Sequence, residues 1–143
     1  MFEPAAENIE IAKSNLSGYK NIQYITKGLS DKAQTLCFNF LGSQSSVDAN
    51  GTQEIQVCAL DDFALERCDF IKMDIEGSEK EAIIGAMETI NKCHHPVLAI
   101  CVYHKIDDFY SIPAQILQLH SDYKIYMRHY SQGACETVMY FVP

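Results

Sequence analysis

The sequence predicts an α/β domain built on a mostly parallel β-sheet. Two apolar, strand-like runs, residues 70–75 and 97–103, are each followed by a segment with helical spacing of apolar residues. Strands that alternate with helices are typical of parallel βαβ units with right-handed crossovers. Two further strand-like segments, residues 123–130 and 136–142, predict an antiparallel hairpin at one edge of the sheet. With 143 residues, the chain is expected to form a single domain, residues 1–143.

The first half of the chain predicts one helix and a group of strands. Pro4 suits the first turn of a helix, which Gly18 would end. Residues 28–31 predict a turn, and residues 42–52, rich in Gly, Ser and Asn, predict a mobile loop. The remaining predicted elements are strands at residues 21–26, 35–41 and 54–60, the last two paired as an antiparallel hairpin, and a short helical turn from Asp61 to about Arg67.

The central strand, residues 70–75, leads into a turn and a second helix. Gly77 permits a sharp bend after the strand. Ser78 and Glu81 form a capping-box pattern, which predicts that a helix begins there and continues to about Lys92. Its apolar face is predicted to contain Ile83, Ala86, Met87 and Ile90. A further helix is predicted over residues 107–120, after the strand at 97–103.

Charged side chains lie where the two central strands end. The two-residue period of a strand places Lys72, Asp74 and Glu76 on one face, and His104 follows the next strand. Ligands of open α/β sheets bind outside the carboxyl ends of the strands, so we expect Asp74, Glu76 and His104 to meet at one rim. The alternative is a simple Lys72–Asp74 ion pair, with the other acidic residues favouring a helix N-terminus.

Composition excludes several classes of function. The net charge is −8 and no Lys/Arg cluster is present, which argues against nucleic acids and anionic membranes as partners. No apolar run is long enough for a membrane span, and no signal peptide is visible, so we expect a cytoplasmic protein. The six cysteines contain no CxxC pair and are expected to be reduced. Cys93, His94 and His95 are adjacent and should not converge on a metal, so no metal site is predicted; His94, His95 and His120 are interpreted as surface helix ends.

Five motifs spread over nearly the whole chain point to one protein family. They are Phe2-Glu3-Pro4 with Glu7-Asn8, Ile-Lys-Met-Asp-Ile-Glu-Gly-Ser-Glu at residues 71–79, Tyr103-His104-Lys105, residues 123–129, and Glu136-Thr137-Val138. Together they resemble the FkbM family of methyltransferases, which use S-adenosylmethionine, usually to methylate hydroxyl groups. The resemblance implies a Rossmann-like class I methyltransferase sheet with an antiparallel strand in the penultimate position.

The resemblance also implies where the cofactor, S-adenosyl-L-methionine, would lie. In such a fold, an acidic residue that ends the second strand holds the ribose hydroxyls, and Glu3 matches that position. The turn at residues 28–31 would lie near the adenine. The alternatives are a helix N-terminal charge for Glu3 and a plain surface turn for residues 28–31. The cofactor-binding residues predicted in this way are Phe2, Glu3, Pro4, Gly28, Leu29, Asp31 and Asp74.

One part of the family pattern has no match. The first strand of the family and its glycine-rich turn, which cradles the methionine end of the cofactor, would precede Phe2. The chain is therefore expected to be a truncated, inactive form of the domain that lacks the first strand and helix. Open sheet edges invite pairing, so we expect either a homodimer or direct pairing of the second and fourth strands of the parent sheet.

The predicted mechanism is transfer of a methyl group to a hydroxyl of a carbohydrate or small metabolite. His104 is expected to remove the hydroxyl proton, because its ordinary pKa lies close to neutral pH. Asp74 and Glu76 would orient this base, act as the base themselves, or hold a divalent ion; Lys72 completes the predicted catalytic set, and His129 would contact substrate. Two other functions stay open: a metal-dependent transferase that uses Asp74-x-Glu76 on a nucleotide-sugar, and a non-catalytic dimeric interaction module.

Overall fold

The computed structural model describes residues 1–39, 46–47 and 53–143 of the chain, and these residues form two four-stranded sheets with flanking helices. The helices are α1 (Ala6–Asn15), α2 (Glu79–Ile84), α3 (Met87–Lys92) and α4 (Asp108–Leu119), with a 3₁₀ turn at Asp61–Phe63. The strands are β1 (Gly28–Leu29), β2 (Gln34–Asn39), β3 (Ser46–Val47), β4 (Gln53–Cys58), β5 (Phe70–Met73), β6 (Val97–Cys101), β7 (Lys124–His129) and β8 (Thr137–Val142). None of the helices in this part of the chain is long and apolar enough to cross a membrane.

The two sheets divide the chain in sequence order. The first has the strand order β1-β4-β2-β3, and the second has the order β5-β6-β8-β7. The β1–β4 and β5–β6 pairs are parallel, and the other described ladders are antiparallel. The α/β class is confirmed, as is the β2–β4 hairpin. Fewer of the strand pairs are parallel than the sequence pattern predicts. Most of the described pairs are antiparallel, whereas helical crossovers would have produced parallel ones.

The last strand of the chain lies inside the second sheet. β8 pairs with β6 on one side and with β7 on the other, so β7 rather than β8 forms the edge. Three of the six residues of β8 are buried and the other three are partly buried, whereas all six residues of β7 are exposed. The antiparallel strand therefore occupies the penultimate position that the family resemblance implies.

The main hydrophobic core lies where the second sheet meets α2, α3 and α4. β6 is almost completely buried, as its continuous apolar run predicts. Fully buried side chains around it include Met73, Ile83, Ile90, Ile100, Ile112 and Phe141. This core fixes the carboxyl ends of β5 and β6 side by side, because Met73 is paired with Ile100 in the ladder.

Local predictions in the first half of the chain were partly wrong. The strand predicted at residues 21–26 is reduced to a single bridge between Phe2 and Ile25. Gly28 and Leu29 form β1 rather than part of a turn, because they pair with Val57 and Cys58. The mobile loop predicted at residues 42–52, and the end of the strand predicted at 35–41, lie mostly outside the described residues, although residues 46–47 form β3.

The helix predicted from Ser78 to Lys92 is interrupted at Gly85 and Ala86, between α2 and α3. A Cβ atom on Gly85 would lie 2.1 Å from the Ser30 carbonyl oxygen. The backbones of Gly85 and Ser30 are therefore in close contact, and a larger residue than glycine would not fit. The Asp61 carboxylate then accepts the backbone N–H groups of Glu88 and Thr89, at 3.0 and 2.7 Å, and caps α3. The capping box predicted at Ser78 does not form, since Ser78 makes no side-chain cap hydrogen bond.

Direct pairing of the chain start with β5, one of the two expected arrangements of the sheet, does not occur among the described residues. Phe2 bridges Ile25, and β5 pairs with β6. Between the chain start and β5 lies a cavity instead. The other expectation, a homodimer, stays a prediction.

Candidate active site

A cavity of about 510 Å³ lies between the first residues of the chain and the carboxyl end of β5. One wall comes from residues 1–4 and from β1, and the other from residues 70–78. Apolar side chains line much of it, and three carboxylates, those of Glu3, Asp74 and Glu76, face the same space. Concave, mostly apolar spaces of this size with a few polar groups are typical of small-molecule sites.

The predicted cofactor residues converge on this cavity with one exception. The residues that line it include Phe2, Glu3, Pro4, Gly28, Leu29 and Asp74. Asp31 is the exception among the described residues: it follows β1, and its carboxylate accepts a hydrogen bond from Gln34 Nε2 at 3.2 Å. Gly28 and Leu29 pair with β4 as a short strand, and Asp31, which follows that strand, is not among the residues that line the cavity.

Glu3 lies at the N-terminus of α1, the alternative to a cofactor-binding role that the sequence also allows. Its Oε1 accepts the backbone N–H of Ala5, the residue before α1, at 2.8 Å. Its own N–H donates to the Ile25 carbonyl at 3.1 Å. These two contacts hold Glu3 at the cavity wall, so the helix role and the predicted position in the cofactor site are compatible.

The turn after β5 folds back sharply and buries a carboxylate beneath it. Glu76 and Gly77 both have left-handed backbones, with φ of 57° and 86°. A Cβ on Gly77 would lie 3.0 Å from Lys105 Cε, so glycine is needed both for its conformation and for the close approach of residue 105. The turn allows Glu79, at the start of α2, to accept the Ile75 N–H at 2.9 Å, and this side chain is only 1% exposed.

His104 lies between that buried carboxylate and the two exposed ones. Its Nδ1 is 3.0 Å from Glu79 Oε1, and its Nε2 is 3.5 Å from Asp74 Oδ1 and 3.8 Å from Glu76 Oε2. The imidazole is 9% exposed. Neither ring nitrogen has a well-aligned hydrogen-bond partner among the described residues, and nor has Glu79 Oε2.

The loop that carries His104 is fixed by α2 and α4. The buried Asp108 carboxylate accepts the Lys105 N–H at 2.9 Å. Lys80 on α2 reaches the Asp107 carboxylate at 2.6 Å. These contacts set the position of residue 104 relative to Glu79, since both helices that carry them flank the loop.

The carboxylates of the cluster differ in their pKa. Burial raises the pKa of Glu76, with Asp74 and Glu79 adding to the effect and His104 opposing it. Burial would also raise the pKa of Asp74, but hydrogen bonds from Tyr103 and Cys101 and the charge of Lys72 outweigh it and lower that pKa. Burial lowers the pKa of His104, yet Glu79, Glu76 and Asp74 together raise it above its ordinary value.

Lys72 forms an ion pair with Asp74, which was the alternative to a catalytic role for these residues. Its Nζ lies 3.4 Å from Asp74 Oδ2 and 3.1 Å from Cys101 Sγ. It also lines the cavity. Burial raises the pKa of Cys101 to about 12, so Lys72 faces a neutral thiol and one carboxylate. Its geometry fits an electrostatic partner of Asp74.

Two residues of this cluster were missed as site residues. Tyr103 donates its hydroxyl hydrogen to Asp74 Oδ1 at 2.8 Å. Glu79 resembles an ordinary acidic residue in the first turn of a helix, and its place in that turn does not predict that it is buried. The available signal was Gly77, which predicts a sharp bend after the strand; in the structure the left-handed Glu76-Gly77 turn brings Glu79 back to the end of β5.

The cluster favours proton chemistry over a metal centre. Ligand atoms of Asp74, Glu79 and His104 all lie within 4.8 Å of one another. However, Glu79 faces Nδ1 of His104 and Asp74 faces Nε2. An imidazole binds one ion through one nitrogen, so a single ion could not use both contacts as they stand.

Comparison with known proteins agrees with the fold and the motifs. The profile of the family described as methyltransferase FkbM domain matches residues 1–130. No curated protein matches the chain. The crystal structure of methyltransferase FkbM from Methylobacillus flagellatus KT superposes with a TM-score of 0.80 and 30% sequence identity, over 99% of this chain and 36% of that one. The chain thus spans about a third of the length of that protein. With most of its residues matched by the profile, the chain belongs to the FkbM methyltransferase domain family.

Proposed function

We propose that this domain transfers a methyl group from S-adenosyl-L-methionine to a hydroxyl group of a carbohydrate or small metabolite. Membership of the FkbM family supports methyl transfer. The observation that carries the finer proposal is the position of Asp74 and Glu76, which line the cavity and also contact His104. A substrate in that cavity would lie beside two carboxylates, Asp74 with a lowered pKa and Glu76 with a raised one.

The cavity suits the nucleoside part of the cofactor. Phe2, Leu29 and Leu65 offer apolar surface for a base, and Glu3 offers a carboxylate for ribose hydroxyls. Hydrogen bonds to a charged group are worth about 1.5–3 kcal/mol each, enough to select a ribose. When bound, the cofactor supplies an activated methyl group on sulfur. The glycine-rich turn implied for the methionine end has no match in the 143 residues, so we expect these residues alone to bind the cofactor weakly and to be inactive.

The proton of the acceptor hydroxyl is assigned to Glu76. His104 was the expected base, but its ring nitrogens are buried and it does not line the cavity among the described residues. Glu76 does line it, and its raised pKa makes it a better proton acceptor than Asp74. Asp74, with its lowered pKa, stays ionised and orients the hydroxyl. Environments that separate the pKa values of paired carboxylates commonly divide such roles.

His104 and Glu79 act as positioning residues in this scheme. The buried Glu79 carboxylate contacts Nδ1 of His104. Nε2 of the same ring faces Asp74 and Glu76 and would keep these two carboxylates at one side of the cavity. The charge of His104 also limits the rise in the pKa of Glu76. The alternative use of Asp74-x-Glu76, as oxygen ligands for Mn²⁺ in a nucleotide-sugar transferase, has the same two cavity-facing carboxylates in its favour.

Cofactor binding is tested first, by calorimetry and thermal denaturation of the chain. S-adenosylhomocysteine should raise the melting temperature, and Glu3→Ala should remove the effect, while Glu7→Ala, an exposed residue of α1, should keep it. A shift caused instead by a nucleoside diphosphate with Mn²⁺ would favour the sugar transferase.

The base is tested by the pH profile of methyl transfer in the enzyme that contains this domain, with a panel of hydroxyl acceptors. With Glu76 as base, the rate of methyl transfer should rise with pH in the acidic range and stay level across the titration of His104. The Glu76→Gln substitution should lower this rate by about 10²–10⁴-fold. A rate that instead rises through the pKa of His104 would return the base to that residue.

A further inference from the structure

A second cluster of side chains of the types that bind metals lies at the opposite end of β6 from the candidate active site. His95 precedes β6 and His104 follows it, so a five-residue strand, about 16 Å long at 3.3 Å per residue, separates them. Near His95 lie His120, which follows α4, and Asp122, which precedes β7. One potential ligand atom from each of the three residues lies within 4.8 Å of the other two.

Folding brings together two histidines that the sequence analysis treated as separate surface helix ends. The ring centroids of His95 and His120 are 3.5 Å apart, and they lie 6.0 and 6.2 Å from the ring of Tyr123. Tyr123 is buried and donates its hydroxyl hydrogen to the Pro96 carbonyl at 2.7 Å. The two imidazoles therefore lie beside a buried part of the core.

The remaining contacts leave nitrogens suited to a metal. His95 Nδ1 lies 3.8 Å from Asp122 Oδ2. His120 Nε2 lies 2.5 Å from Asn91 Oδ1, and because an amide oxygen only accepts, Nε2 carries the proton and Nδ1 keeps its lone pair. Histidines that bind metals commonly donate the other ring N–H to a protein oxygen in this way.

We propose that His95, His120 and Asp122 bind one Zn²⁺ ion, with water as the fourth ligand. Two imidazoles and a carboxylate suit zinc, whereas Mg²⁺ and Ca²⁺ prefer all-oxygen sites. Zinc bonds to nitrogen and oxygen are about 2.0–2.2 Å long, so ligand atoms of one tetrahedral ion lie about 3.4 Å apart. The potential ligand atoms lie within 4.8 Å of one another, but the imidazole centroids are only 3.5 Å apart, so the two rings must separate to share one ion. The side chains of His95 and Asp122 are 28% and 66% exposed, which leaves them free to make that adjustment.

Such an ion would fasten two connections of the second sheet to each other. His95 belongs to the α3–β6 connection, and His120 and Asp122 belong to the α4–β7 connection. The site is separate from the cavity and from the carboxylate cluster, so it does not depend on the proposed function.

The test is calorimetric titration of the metal-free chain with Zn²⁺, with Mg²⁺ as the comparison. One equivalent of Zn²⁺ should bind, Mg²⁺ should not, and the melting temperature should rise with Zn²⁺ alone. His95→Asn and His120→Asn should each weaken Zn²⁺ binding at least tenfold. The control is His94→Asn, since His94 and His95 have similar left-handed backbones, with φ of 56° and 61°, that asparagine tolerates.

Cysteines are the main competing ligands, and Co²⁺ distinguishes them. Co²⁺ bound by His95, His120 and Asp122 should show d–d absorption without the near-ultraviolet charge-transfer band of a cobalt thiolate. A thiolate band would place the metal at Cys93 or another cysteine and overturn the proposal. Equal Zn²⁺ affinity in the wild type and the His120→Asn variant, or no Zn²⁺ binding by the wild type, would also overturn it.

Discussion

The contact between His104 and Glu79 makes the stability of the fold depend on pH in a predictable way. Because the pKa of His104 is raised in the folded state, the pair contributes stability that is fully present below about pH 6.5, the ordinary histidine pKa. That stability is lost as the pH rises through the folded-state pKa. Glu79→Gln removes the charge and keeps an oxygen that can accept the Ile75 N–H. The variant should therefore lose most of this pH dependence.

The size of the effect follows from the geometry. Nδ1 and Oε1 are 3.0 Å apart and both side chains are almost fully buried, so solvent screens the pair little. Hydrogen bonds that involve charged groups are worth about 1.5–3 kcal/mol. The N–H of His104 is not well aligned with Glu79, so we expect the lower half of that range.

The assay is urea unfolding of the wild type and variant at a series of pH values from acidic to alkaline. The difference in unfolding free energy between the two proteins should shrink as His104 loses its proton, by about 1.5–2 kcal/mol in total. Glu81→Gln is the control, since Glu81 lies in the same helical turn but is exposed. A constant difference across the whole pH range would refute the coupling of the two residues.

Three further predictions concern single contacts. In the intact enzyme, Asp74→Asn should abolish methyl transfer with little change in melting temperature; near-normal turnover would refute its role. Gly85→Ala should destabilise the fold by about 1–3 kcal/mol in urea unfolding, because its Cβ would lie 2.1 Å from the Ser30 carbonyl oxygen, and an unchanged midpoint would contradict that contact. Asp61→Ala should cost about 0.5–2 kcal/mol in the same assay through loss of the α3 cap, whereas Asp62→Ala should cost less, because Asp62 accepts one hydrogen bond at 3.2 Å.

Sequence periodicity predicted the second half of the fold well. The apolar run at residues 97–103 and the alternation at 70–75 placed β6 and β5, and the rule for strand ends placed Asp74 beside His104. These predictions depend on burial patterns within one element and on the general geometry of parallel strands, both of which can be inferred from local sequence.

Predictions failed where the decisive partner is distant in sequence. Gly85 interrupts the helix because of Ser30, and Asp61 caps α3 from 27 residues away. The turn predicted at residues 28–31 begins as a strand because Gly28 pairs with Val57. The convergence of His95 with His120 likewise depends on two connections that the sheet brings together. None of these contacts has a periodic signature in the residues that make it.

The D-x-E motif shows how the same residue types acquire different chemistry from their surroundings. Asp74 and Glu76 are two residues apart and each side chain is 40% exposed, yet their pKa values move in opposite directions. Asp74 directly follows β5, where Lys72 reaches it from β5 itself and the Tyr103 hydroxyl reaches it from the segment that follows β6. Glu76 lies one step into the left-handed turn, where its charged neighbours include Asp74, Glu79 and the imidazole of His104. The pattern of two carboxylates indicated a site, but the surroundings that move the two pKa values apart come from the pairing of β5 with β6 and from the turn that follows β5.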